Sequence, residues 1–147
     1  MTILGKPVGE YFRFQALLLV LTAGLGLLRL VLSLAGVEWS VTSAVSMTGL
    51  SVIAILYLPI RLHMRRFGGY RHLWPLFVVQ ISVAGVISAG GILLAGATGV
   101  GNAFEPEPMN PNLIFHALSH FPLLPILAPL LWLPSCLVLW IARRIAP

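Results

Sequence analysis

The side chain with the strongest claim to chemistry is Arg29, a guanidinium inside the apolar run Phe14–Gly36. A charge within a bilayer span costs about 2.5–3.5 kcal/mol on insertion scales, so it is retained where a partner meets it. That partner is an anionic group, another chain's carboxylate, or Glu38 if the chain folds back past the end of the run. Snorkelling to the headgroups, about 10 Å away along the helix, is the other way to satisfy it. Gln80 is a second polar group within an apolar run, with an amide able to hydrogen-bond between helices. Arg29, Glu38, Ser46, Gln80 and Ser88 are therefore the expected ligand-binding set, with Gln80 at a different depth from Arg29.

His116 and His120 form an H-x-x-x-H pair in the stretch Ile114–Phe121. On a helix, residues four apart share a face, which is the spacing that chelates a metal. Ala117 stands where the zinc-protease motif places its glutamate, so a third ligand has to come from Glu105, Glu107 or Glu38. A metal or haem is the alternative reading of this pair. The competing one is a short interfacial helix over 112–120 lying on the membrane surface, which Asn112 would cap. No other cofactor is expected.

Enzyme chemistry finds little else to work with. The sequence contains no aspartate and a single cysteine, Cys136. Triads or dyads that need an aspartate are absent, as are a C-x-x-C pair, G-x-S-x-G and the phosphate-binding glycine loops.

The elements that must position these groups follow from composition. Of 147 residues, 59% are hydrophobic and 9% charged, and the mean hydropathy is +0.98. Soluble domains carry about a quarter charged residues, so a soluble fold is excluded. Runs of about 20 apolar residues can span a bilayer as helices. The expected spans are 14–36, 41–62, 73–97 and 121–142, an all-α integral membrane bundle forming one domain without a soluble part. Ser33-Leu34-Ala35 resembles a signal cleavage site, but Arg29 interrupts the run and the run is long for a signal core.

The net charge of +5 would point to nucleic acid in a soluble protein. Here its distribution is an orientation signal. Lys6 and Arg13 precede the first span; Arg61, Arg65, Arg66 and Arg71 fill the second connection; Arg143 and Arg144 follow the last span. Loops 37–40 and 98–120 hold no Lys or Arg, and carry the acidic residues Glu38, Glu105 and Glu107. The positive-inside rule then places both termini in the cytoplasm and those loops outside a cytoplasmic (inner) membrane. Arg61, Arg65, Arg66 and Arg71 are expected at lipid headgroups, and no nucleic-acid partner is expected.

In lipid, helices associate through small residues that let backbones approach. Gly26, Ser33 and Gly36 in the first span, Gly49 in the second, and Ala84 and Gly91 in the third are the expected packing positions. Pro129 and Pro134 each leave a carbonyl without its intrahelical donor, and Pro59 does the same in the second span. Kinks are the expected consequence. Together these features suggest a non-enzymatic binding or transport-related component, in a homo-oligomer or a larger complex. A metal or haem protein and a purely structural subunit are the alternatives.

Overall fold

Four helices are long and apolar enough to cross a membrane, in the segments Ala16–Leu34, Trp39–Met64, Tyr70–Thr98 and Ile126–Ile145. The computed structural model describes residues 1–121 and 124–145. The elements are β1 (Thr2–Ile3), β2 (Lys6–Pro7), α1 (Val8–Phe14), α2 (Ala16–Leu34), α3 (Trp39–Ala44), α4 (Met47–Met64), α5 (Tyr70–Thr98), α6 (Leu113–Ser119) and α7 (Leu124–Ile145). The architecture is the expected all-α bundle.

Several boundaries differ from the hydropathy reading, each for a local reason. The first span begins at Ala16, because Gln15 ends α1 and turns its amide into the bundle, donating to the Leu76 carbonyl at 3.1 Å. The second begins earlier and is broken. Ser46 takes an extended conformation and accepts the Gly49 N–H at 3.1 Å, restarting the helix as α4. Residues Trp39 and Ser40, expected in a loop, already belong to α3. The third span extends to Tyr70, where His72 Nδ1 accepts the Gly69 N–H at 3.2 Å. It ends at Gly99, whose φ of +68° is the left-handed terminator that glycine adopts freely. The last helix runs to Ile145, three residues beyond the expected end. Pro122 lies outside the described residues.

A short N-terminal hairpin, not anticipated by hydropathy, closes the end that carries both termini. Leu4 and Gly5 turn with positive φ, pairing Thr2 with Pro7 and Ile3 with Lys6. The Tyr11 hydroxyl donates to the Ile3 carbonyl at 2.9 Å, and Lys6 lies 4.5 Å over the Phe67 ring. Burial and the nearby Glu10 charge raise the Tyr11 phenol above its ordinary range.

Helix α5 is the centre of the bundle and packs on α2, α4, α6 and α7. Helices α2 and α7 each rest on α4 and α5, leaving rows such as Val20, Leu27 and Val31 on α2 exposed. Tyr11, Leu58, Leu62, Leu76, Phe77 and Leu139 are fully buried between these helices. Exposed apolar rows around a packed interior are what lipid contact requires.

The carbonyl freed by Pro59 is met by a neighbouring donor. α4 runs continuously through Pro59, and α7 through Pro129 and Pro134. Pro59 cannot donate to the Ile55 carbonyl. Ser135 of α7 does so instead at 3.1 Å, its one hydroxyl proton shared with the Leu131 carbonyl at 2.8 Å. At the basic end Trp132 Nε1 donates to the Tyr70 carbonyl and Arg143 to Gly68, fastening α7 to the connection between α4 and α5.

Candidate functional site

Beyond Gly99 the chain folds into a cap over the far end of α5. Asn102, 4% exposed, organises it. Its amide Nδ2 donates to the Gly91 carbonyl at 2.8 Å, and its Oδ1 accepts the N–H groups of Phe104 and Glu105. Phe104 lies against Gly91, where any side chain would collide with the ring. A turn held by an asparagine side chain thus binds the cap to the helix it covers.

Arg29 is the third fastening of this cap. Its Nη2 donates to the Ala103 carbonyl at 3.3 Å. The guanidinium carbon lies 5.3 Å from the Trp39 ring centre and 5.4 Å from that of Phe104. Aromatic faces attract cations, more so where water is excluded. Glu38 takes no part; its exposed carboxylate accepts from the Ser40 hydroxyl at 3.3 Å. The buried Arg29 Nε has no hydrogen-bond partner among the described residues.

Glu105 is the buried charge of the cap, 3% exposed. One carboxylate oxygen meets His116 Nδ1 at 2.8 Å and accepts from Asn110 at 3.4 Å. The other accepts the Glu107 N–H at 3.2 Å. The His116 hydrogen bond, outweighing desolvation, holds the Glu105 carboxyl below its ordinary range.

The short helix expected to lie on the membrane surface over 112–120 is present as α6 but packs lengthwise on α5. α6 descends beside α5. Leu113 sits against Gly96, Ala117 is buried with Ala89 and Ile92, and the His120 backbone reaches Gly85. The cause is a row of Gly85, Ala89 and Gly96, a shallow groove on α5 next to the stripe through Ala84, Ser88 and Gly91. The row was present in the sequence at helical spacing and signals a second packing partner. Gly85 is near the midpoint of α5, so His120 stands about 20 Å along the axis from Thr98, at 1.5 Å per residue.

His120 stacks on His116, with ring centres 5.7 Å apart, and lines a cavity of about 330 Å³ between α4, α5 and α7. Thr48, Ser51 and Ser88 contribute hydroxyls; Val52, Leu127 and Leu130 form an apolar rim. The notch exists because α7 starts at this depth, with α6 filling the bundle above it. Ser51 is occupied, donating to the Met47 carbonyl at 3.1 Å. The Thr48 and Ser88 hydroxyls and the His120 ring make no hydrogen bond among the described residues.

The expected ligand set is therefore dispersed. Ser88 lines the cavity, Arg29 fastens the cap, Ser46 caps a helix, and Glu38 faces out. Gln80 donates to Thr22 Oγ1 at 2.6 Å between α5 and α2, with its Oε1 buried and without a partner among the described residues. Gln15, whose Oε1 likewise has none among them, joins the same interface and was not anticipated. Of the packing positions, Gly26 allows close approach, since a Cβ there would stand 2.6 Å from Ile87 and 2.8 Å from Met47. Ala84 borders the cavity and Ser33 is half-buried. Gly36 and Gly49 are exposed; Gly36, with φ of +78°, lies just past the end of α2. Arg65, Arg66 and Arg71 are exposed at the basic end. Arg61 instead folds inward, donating to the Tyr57 hydroxyl and lying over Phe14.

Among the described residues no group of three or more His, Cys, Asp or Glu is arranged to hold a metal. His116 Nδ1 is engaged by Glu105, which leaves this pair one nitrogen from His116 and those of His120. No protein-family model, curated protein or solved structure matches the chain.

Proposed function

We propose that this chain is a small, non-enzymatic polytopic protein of the cytoplasmic membrane that binds a ligand in its cap-end half, as a transport-related component or complex subunit. The observation that carries this reading is the pairing of a cavity with polar groups lacking partners. Ser88 and His120, each half-buried and without a hydrogen bond among the described residues, converge on space between three helices, where lipid offers no hydrogen bond in exchange. Arg29, Glu105 and His116 support the site from behind: they hold the cap and α6, and α6 delivers His120. The Lys/Arg distribution supports cytoplasmic termini and a cap on the opposite face.

Native mass spectrometry from mild detergent tests this reading. The wild-type chain is expected to carry a small molecule, released in His120→Leu. A stoichiometric metal lost in His116→Ala would move the function to the histidine pair. A ligand-free chain seen only with a larger partner would make it a structural subunit.

A further inference from the structure

We infer that the cavity between α4, α5 and α7 takes an electrically neutral, lipid-soluble molecule with a carbonyl or hydroxyl head and an apolar tail, entering sideways from the bilayer. This rests on the binding reading above and names the ligand class.

The head is specified by what faces the cavity. His120 in its neutral form offers one donor and one acceptor, and Ser88 and Thr48 add hydroxyls of either polarity. Among the described residues no Lys, Arg, Asp or Glu lines it. The titratable groups of α4, α5 and α7 lie at or toward the basic end, and Glu105 is turned to His116. An anionic or cationic head would therefore be buried near the midpoint of α5 without a counter-charge, which is strongly unfavourable. A carbonyl or hydroxyl can instead be met by His120 and Ser88 together.

The tail and the route are specified by the rim. Val52 and Leu130 are more than half exposed, at 55% and 60%, on faces that border the opening. On spanning helices these faces meet lipid, so a tail can run along them while the head turns inward. The volume of about 330 Å³ suits a head with the first part of a chain, at the lower end of small-molecule sites.

The test uses a fatty alcohol with a photoreactive diazirine in its tail and the matching fatty carboxylate, each with the full chain in lipid nanodiscs at neutral pH. Cross-linked residues are mapped by mass spectrometry. The alcohol is expected to label Val52, Leu127 and Leu130 at least about fivefold above the lipid-facing Leu21 and Leu28 of α2. His120→Leu and Ser88→Ala each remove most of that excess, and His120→Asn, which keeps a donor and an acceptor, restores part of it. Equal labelling of cavity and belt overturns the inference, as does labelling insensitive to all three variants. Stronger, His120-dependent labelling by the carboxylate overturns the neutral head while leaving the binding reading standing. Belt-level labelling by both probes, together with a ligand-free native mass spectrum, overturns both.

Discussion

Arg29 shows how a residue can be conspicuous in sequence while its role depends on contacts hydropathy does not contain. Its position within a span was legible; its partners were not, because Ala103 and Phe104 reach it from a loop more than seventy residues away. Arg29→Leu is expected to release the cap, lowering stability by about 1–2 kcal/mol from the lost hydrogen bond and ring contacts. Hydrogen exchange over 99–112 should accelerate; unchanged protection there would contradict the assignment. Glu105 carries the pH dependence of the same cap. Its folded pKa lies below the unfolded value, so its ionised form stabilises the fold above about pH 4.3 and that contribution is lost as pH falls through the folded value. Thermal melts across this acidic range should show the loss in the wild type and a shallower slope in Glu105→Gln.

At the scale of elements, hydropathy located the spanning helices because the bilayer demands long apolar runs. It misplaced their ends because ends are set by single residues: Gln15 turning inward, Ser46 capping α4, Gly99 taking a left-handed conformation. The prolines carried a subtler message. Each freed carbonyl needs a donor from elsewhere, and Ser135 supplies one to Ile55 across the α4–α7 interface. Ser135→Ala is expected to cost about 1 kcal/mol. In a Pro59→Ala background, where the helix makes its own bond to Ile55, most of that cost should vanish. A double-mutant cycle on unfolding free energies measures the coupling, and strict additivity would contradict it.

For the molecule as a whole, the class of fold follows from composition, whereas the site depends on how the segment after α5 returns. Residues 99–120 were legible as a polar connector with a short helix. That the helix descends along Gly96, Ala89 and Gly85, starting α7 at mid-height and opening the cavity, required the packing itself. Orientation is checked by cysteine labelling in a Cys136→Ser background: Glu107→Cys should react in intact cells, and Arg66→Cys only after permeabilisation. The descent of α6 is tested most directly by a disulfide. A Cβ at Gly85 would lie 3.8 Å from that of His120, close to the separation of about 3.8 Å found in natural disulfides. Gly85→Cys with His120→Cys, again with Cys136→Ser, should cross-link almost completely on mild oxidation in membranes. If the two thiols stay free while a Gly96→Cys/His120→Cys pair cross-links instead, α6 lies near the surface and the cavity site does not exist.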